Sequence, residues 1–149
     1  MRVETIMVKE VITLKQEMNV QDAMQKLMER KISGLPVVDD NNKVVGMFTE
    51  KSILMEILPS YVEKVGHFVY EVDPKKLIDK VEKLHQIKVK EIMRKEVITV
   101  KKDTSLTEVA KIMLVQKIRR IPVVDDDNSL IGLIARQDVL KFFSKKANI

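Results

Sequence analysis

The chain has 149 residues, of which 45% are apolar, and this is enough for one domain of ordinary size or two very small ones. It has no Cys, which excludes disulfides, thiolate metal sites and cysteine nucleophiles. The net charge of +5 forms no continuous basic stripe, and nothing resembles a signal peptide or a membrane span, so we expect a cytoplasmic protein.

The first third of the chain predicts the order β-α-β-β-α. Asn19 is a suitable N-cap for the first helix, and the apolar residues that follow fall on one helical face. Pro36 suits the start of a strand, and the run DDNN at 39–42 is typical of a turn. The predicted elements are strand 10–14, helix 20–28, strand 35–39, strand 44–48 and helix 50–58.

A connecting segment follows. Asp73 and Pro74 predict the N-cap and first residue of a helix that runs to about His85, which is more structure than a spacer needs. We therefore divide the chain into repeat 1 (1–58), a helical linker or insert (59–88) and repeat 2 (89–149).

The last third predicts the same order again. Ser105 and Glu108 have the spacing of a capping box, and Pro122 again suits a strand start. The predicted elements are strand 96–100, helix 106–114, strand 121–125, strand 130–134 and helix 136–144.

The first and last thirds of the chain are copies of one repeat. Shifting the chain by 86 residues aligns 3–54 with 89–140 without a gap, and 19 of these 52 pairs are identical. Two copies are too few for an open solenoid, so we expect a closed pair with a pseudo-twofold axis. One copy is marginal alone, so we also expect both copies to form one cooperative domain.

Two phrases in the chain resemble the CBS domain. These are Gly-apolar-Pro-Val-Val-Asp, at 34–39, and Gly-apolar-apolar-Thr-x-x-Asp, at 46–52 and 132–138. Two in tandem resemble the CBS pair, or Bateman module, here standing alone. The resemblance implies an α/β (α+β) fold of two β-α-β-β-α repeats, a flat homodimeric disc, and two clefts for AMP, ADP, ATP or S-adenosylmethionine. It implies a regulatory role and no enzymatic activity.

The resemblance also implies which residues line each cleft. In the family, the Asp of the second phrase accepts the ribose hydroxyls, and the Thr faces a phosphate. The first cleft would comprise Thr13, Ser33, Gly34, Leu35, Pro36, Ala135, Arg136 and Asp138. The second would comprise Thr49, Ser52, Thr99, Arg119, Arg120, Ile121 and Pro122.

Each copy departs from the second phrase. Repeat 1 has Thr49 but Ser52 in place of the Asp, and repeat 2 has Asp138 but Ala135 in place of the Thr. Because a carboxylate accepts two hydroxyls, the Asp138 cleft is favoured.

A second departure concerns the arginines. Arg119 and Arg120 replace Ser33 and Gly34. Guanidinium groups suit phosphates, although two solvated surface arginines would give the same sequence.

The sequence is also compatible with two other functions, and it argues against a metal site. Empty clefts would leave a dimerisation or protein-interaction module. Arg119, Arg120 and the basic tail 141–146 could bind nucleic acid. The acidic runs lack the pattern of an EF-hand, and His67 and His85 have no ligand pattern around them, so we predict no metal.

Overall fold

The computed structural model describes residues 1–58 and 73–149. Repeat 1 begins with a short 3-10 turn, Val3–Thr5. Its other elements are β1 (Leu14–Lys15), α1 (Val20–Arg30), β2 (Gly34–Val38), β3 (Val44–Thr49) and α2 (Glu50–Ile57). The connecting segment contains α3 (Pro74–Glu82) and a 3-10 turn, Leu84–Gln86. Repeat 2 contains α4 (Val89–Ile92), β4 (Val100–Lys101), α5 (Leu106–Gln116), β5 (Arg120–Val124), β6 (Leu130–Ala135) and α6 (Arg136–Lys146). The predicted α+β class and the order β-α-β-β-α are confirmed in both repeats.

Helix starts largely follow the predicted caps. Asn19 Oδ1 accepts a hydrogen bond from Asp22 N at 2.9 Å, and an Asp73 carboxylate oxygen accepts one from Lys75 N at 3.0 Å. Ser105 Oγ accepts from Glu108 N at 3.2 Å, so the predicted N-cap is confirmed, but this is only one of the two hydrogen bonds of the predicted capping box. The predicted helix to His85 was too long: α3 ends at Glu82, and a 3-10 turn follows.

The first strand of each repeat is shorter than predicted. The β-rich runs 10–14 and 96–100 contribute only their last residue, to the two-residue strands β1 and β4. Two sheets of three strands result, in the orders β1-β2-β3 and β4-β5-β6. In the second sheet, β4 lies parallel to β5 and β6 lies antiparallel to it.

Pro36 and Pro122 are each the third residue of their strand and do not lie at its start as predicted. The partner of Pro122 in the register is Leu133, whose backbone N–H and carbonyl bond to Val8 at 2.9 and 2.8 Å. The backbone groups of Leu133 therefore need no hydrogen bond from Pro122, and the missing N–H of Pro122 is tolerated inside the strand.

The chain divides into two compact units that interleave the repeats. Unit 1 comprises residues 1–12, 38–45 and 96–149, and unit 2 comprises residues 13–37 and 46–95. Each unit is built mainly on one repeat. Unit 1 also takes residues 1–12 and 38–45 of repeat 1, and unit 2 also takes the end of the linker and residues 89–95 of repeat 2. We call residues 1–12 and 84–95 the exchanged segments.

The exchanged segment of unit 1 completes its core. Val3 is fully buried in a cluster that includes Leu106, Val109, Ile121 and Ile134. Val3 N donates to Thr104 O at 2.9 Å. This segment therefore belongs to the interior of unit 1 and is not a loose terminus.

The exchanged segment of unit 2 does the same. Val89 and Leu84 are fully buried, and Val89 N donates to Met18 O at 2.8 Å. Arg94 and Met47 exchange backbone hydrogen bonds of 2.8 and 2.9 Å.

The repeated glycines make room for these segments. A β-carbon added at Gly132 would lie 2.5 Å from Met7 Sδ and 3.2 Å from the Val8 carbonyl oxygen. One added at Gly46 would lie 2.5 Å from Met93 Sδ. Both repeats therefore contain a Met and a Gly at equivalent positions, because the side chain of each Met packs against a strand at a Gly, where a β-carbon would be too close.

The two β-hairpin turns contact each other within unit 1. Asn42 Nδ2 donates to Leu130 O at 3.0 Å, and Asn128 Nδ2 donates to Val44 O at 3.1 Å. Both Asn residues have positive φ, 62° and 64°, which Asn tolerates better than most residues. Beneath them Val38, Val44, Val124 and Leu130 form a small buried cluster. The predicted turns are confirmed, and each also binds the other.

Among the described residues, no helix is long and apolar enough to cross a membrane.

Candidate functional site

The favoured ribose acceptor, Asp138, lies in the first turn of α6. Its Oδ2 accepts a hydrogen bond from Ala135 N at 2.8 Å, so it caps the helix. Oδ1 accepts no hydrogen bond from the described part of the chain. Asp138 is half-buried, which leaves one carboxylate oxygen for a ligand.

Thr49 and Ser52 occupy the equivalent positions in repeat 1. Ser52 N donates to Thr49 Oγ1 at 3.2 Å, and Thr49 N donates to Ser52 Oγ at 3.3 Å. The two hydroxyl oxygens are also 3.2 Å apart. Both side chains are therefore engaged in a capping box, a structural role that the sequence analysis did not assign to them.

The helix-start N–H groups are partly occupied as well. Arg136 N donates to Arg119 O at 3.0 Å, and Glu50 N donates to Ser33 O at 2.9 Å. A phosphate could bind either of these two N–H groups only by replacing its backbone hydrogen bond. Asp138 is the better-placed group for a ligand.

The differences between the copies are correlated. Gly34 is buried, and a β-carbon there would lie 2.9 Å from Thr49 Cγ2 and 3.2 Å from Phe48 O. In repeat 2, Arg120 takes the Gly position and pairs in the register with Ala135. A Thr therefore occurs beside a Gly, and an Ala beside an Arg, because the β-carbon and the Thr methyl group compete for one space.

A cleft of about 580 Å³ lies beside Asp138 within unit 1. Thr5 and Ile6 of the exchanged segment form one part of its wall. The remaining lining residues all come from α6, and they are Asp138, Lys141, Phe142, Lys145 and Lys146. Thr5 and Ile6 were missed in the sequence because they are remote from α6 along the chain and carry no motif.

The other predicted site residues of unit 1 differ in exposure. Arg119 and Arg136 are exposed, Thr99, Arg120 and Ala135 are half-buried, and Ile121 and Pro122 are buried. Those of unit 2 are half-buried at Thr13, Ser33, Thr49 and Ser52, and buried at Gly34, Leu35 and Pro36. Each predicted cleft combines residues of unit 1 with residues of unit 2. The assignment of these residues to two clefts stays a prediction.

The acidic turns use their carboxylates internally. Asp39 Oδ1 accepts from Asn41 N and Lys43 N, and Asp125 Oδ1 accepts from Asp127 N and Ser129 N, at 2.8–2.9 Å. These bonds are the turn chemistry that the sequence predicts. His85 Nδ1 lies 2.6 Å from Glu82 O at the end of α3, and His67 lies outside the described residues.

The family model of the CBS domain matches residues 3–59 and 89–145. The chain belongs to the CBS domain family. The resemblance seen in the two repeated phrases is thereby confirmed.

One curated relative is an inosine-5'-monophosphate dehydrogenase of Methanocaldococcus jannaschii. It is 32% identical over 140 residues, which cover 94% of this chain but 23% of that enzyme. The CBS chain therefore spans about a quarter of this relative's length.

Solved CBS-pair structures match over nearly the whole chain. CBSX2 of Arabidopsis thaliana, crystallised in complex with AMP, is 28% identical with a TM-score of 0.76, and the match covers 98% of both chains. The CBS domain pair of protein MJ0100, in complex with 5'-methylthioadenosine and S-adenosyl-L-methionine, is 26% identical with a TM-score of 0.73, again over 98% of both chains. The expected CBS-pair fold is confirmed.

Proposed function

We propose that this CBS-pair protein is a non-catalytic regulatory module that binds an adenine nucleotide or a related adenosyl ligand. The observation that carries the proposal is the half-buried Asp138, with one free carboxylate oxygen beside a cleft of about 580 Å³. That volume lies within the range of small-molecule sites. The AMP and S-adenosyl-L-methionine complexes of related pairs support this ligand class.

Ligand binding would regulate by differential affinity. A ligand that binds one arrangement of the protein more tightly than another shifts the population toward it. Asp138 links the ligand to the first turn of α6, because its other oxygen already caps that helix. The family pattern also assigns Thr13 and 33–36 to this ligand, and we retain them as members of the proposed site.

Titration of AMP, ADP, ATP and S-adenosylmethionine by calorimetry tests the proposal. Asp138→Asn is the informative variant, because its amide oxygen can still cap Ala135 N while the carboxylate charge is lost. We expect affinity to fall about tenfold, in line with the loss of a charge-assisted hydrogen bond. Asp103→Asn, which removes the charge of an exposed carboxylate outside both predicted clefts, is the control. If no compound binds the parent protein at millimolar concentration, the proposal is wrong.

A second proposed function, homodimerisation, rests on exposed apolar side chains at matched positions. Leu114 and Leu140 of repeat 2 are 73% and 66% exposed, and their equivalents Met28 and Leu54 are 67% and 56% exposed. Single exposed apolar residues are ordinary, but the same exposure in both copies favours a repeated contact with a second copy. The alternative function, a ligand-free interaction module, would use the same faces.

Light scattering tests the dimer. We expect the parent chain to have twice the monomer mass and the variant Leu114→Glu/Leu140→Glu to be monomeric. Lys102→Glu, a charge change at an exposed residue outside α5 and α6, is the control. A monomeric parent chain at micromolar concentration would contradict the proposal.

A further inference from the structure

The cleft beside Asp138 carries an uncompensated positive charge. Lys141, Lys145 and Lys146 line it, against one carboxylate, Asp138. Within residues 1–58 and 73–149, none of these three lysines forms a salt bridge. Lys146 Nζ lies 5.7 Å from the centre of the Phe142 ring, which is a cation–π contact and leaves its charge in place. The net positive charge of this cleft therefore favours an anionic ligand.

The spacing along α6 fits a ligand with a neutral end and an anionic end. Lys141 and Lys145 follow Asp138 by three and seven residues, so all three share one face of the helix. At a rise of about 1.5 Å per residue they lie about 4.5 and 10.5 Å along the axis from Asp138. A ribose on Asp138 Oδ1 would thus place a chain of phosphates along a row of ammonium groups.

The lysines near the end of the helix also have a purely structural explanation. Lys145 and Lys146 lie in the last turn of α6, where positive charge stabilises the helix dipole. Lys141 lies in the middle of the helix and gains little there, since the dipole effect is confined to the last turn. The dipole also predicts an effect on stability, whereas a phosphate site predicts an effect on binding.

We propose that the α6 lysines hold the phosphate chain of a nucleoside di- or triphosphate whose ribose lies on Asp138, so that this protein prefers ADP and ATP to AMP and to adenosyl ligands without phosphate. The inference rests on the proposed function, and it adds the substrate class. Each added phosphate brings charge toward a lysine row, and charge-assisted hydrogen bonds are stronger than neutral ones.

Calorimetric affinities for adenosine, AMP, ADP, ATP and inorganic tripolyphosphate, at fixed ionic strength and without divalent cations, test the inference. We expect the affinity of the parent protein to rise from adenosine to ATP. In Lys141→Ala/Lys145→Ala the affinity for ATP should fall at least tenfold, whereas that for adenosine should change less than about twofold. The control Lys102→Ala/Lys111→Ala removes the same charge from exposed residues outside the cleft, and should leave ATP binding within about twofold.

The remaining outcomes separate the two proposals. If adenosine and ATP bind equally well, and the α6 variant matches its control, the phosphate inference is wrong while the proposed function stands. If no compound binds, both fail. Tripolyphosphate binding as tightly as ATP would overturn the nucleotide assignment in favour of a site for phosphate chains alone. A lower melting temperature with unchanged ATP affinity would assign the lysines to helix stability and overturn the inference.

Discussion

At the scale of single residues, the positions that differ between the repeats are coupled by packing. Thr49 caps its helix and excludes a β-carbon at position 34, whereas Ala135 leaves room for Arg120 and provides no side-chain cap. The missing Thr in repeat 2 and the arginine beside it are therefore one change. Considered separately, Ala135 and Arg120 would each be interpreted only in terms of ligand binding.

This coupling predicts different results for two substitutions that both add a hydroxyl. Ala135→Ser should raise the free energy of unfolding by about 0.5–1 kcal/mol, because a Ser at the N-cap accepts from the backbone N–H of Asp138. Ala135→Thr should gain less, because its methyl group would approach the β-carbon of Arg120. Urea unfolding measures both. Equal stabilisation by Ser and Thr would show that the space is not shared.

At the scale of elements, the hairpin turns of the two repeats form a reciprocal contact. Asn42 supplies both a left-handed backbone and an amide that donates to Leu130 O, and Asn128 does the same toward Val44 O. Turn propensity explains the backbone, whereas the amide contact depends on the other hairpin.

Two substitutions of Asn42 separate these contributions. Asn42→Gly retains the positive φ and loses the amide donor, so we expect a loss of about 1 kcal/mol in unfolding free energy. Asn42→Ala also strains the backbone, which should add about 1 kcal/mol. Asn41→Ala, in the same turn and exposed, is the control in thermal and urea unfolding. An Ala variant as stable as the Gly variant would contradict the backbone argument.

The exchanged segment of unit 2 also has an ionic contact. Glu17 lies 2.6 Å from Lys88 Nζ and 2.7 Å from Lys90 Nζ. Hydrogen bonds from Lys88 and then Lys90 lower the pKa of Glu17 from its ordinary value of 4.5 to about 2. Because the folded pKa is the lower one, the contact stabilises the protein above about pH 4.5, and this contribution is lost as the pH falls toward 2.

The pH dependence can be measured by comparing the parent protein with Glu17→Gln. We expect the variant to have the lower melting temperature at pH 6, and the difference to vanish as the pH approaches 2. The group is exposed, so the difference should also be small and should shrink in 1 M salt. Glu29→Gln removes an exposed carboxylate of α1 and serves as the control. A difference that persists at low pH would rule out the ionic contact as its source.

At the scale of the whole molecule, the exchanged segments make the compact units differ from the repeats. Val3 and Val89 are equivalent residues, both fully buried, and each lies in a unit built mainly on the other repeat. Neither repeat alone contains all the residues of a unit. This arrangement is the structural reason to expect one cooperative unfolding transition.

Matched valine substitutions test that expectation. Val3→Ala and Val89→Ala should each cost about 2 kcal/mol of unfolding free energy, because each removes buried methyl groups from one unit. In a cooperative molecule both variants shift the same single transition in calorimetry. Val8→Ala, at a residue 47% exposed, is the control and should have little effect. Two transitions, each lowered by only one variant, would contradict a single cooperative domain.

The sequence by itself determined the family, the repeat and the order of elements, because these depend on local patterns that recur in register. Helix caps, turns and apolar strands reflect interactions within a few residues, and two copies confirm each other. The lengths of β1 and β4 were wrong in the prediction, because β propensity extends beyond the few residues that find a partner strand.

The tertiary structure decided the rest. Contacts between residues far apart in sequence brought Thr5 and Ile6 to α6, Met7 over Gly132, and Asn42 to the second hairpin. They also showed that Thr49 and Ser52 bond to each other. No local pattern encodes such contacts, because their free energy comes from space and hydrogen-bond partners that exist only once the chain has folded.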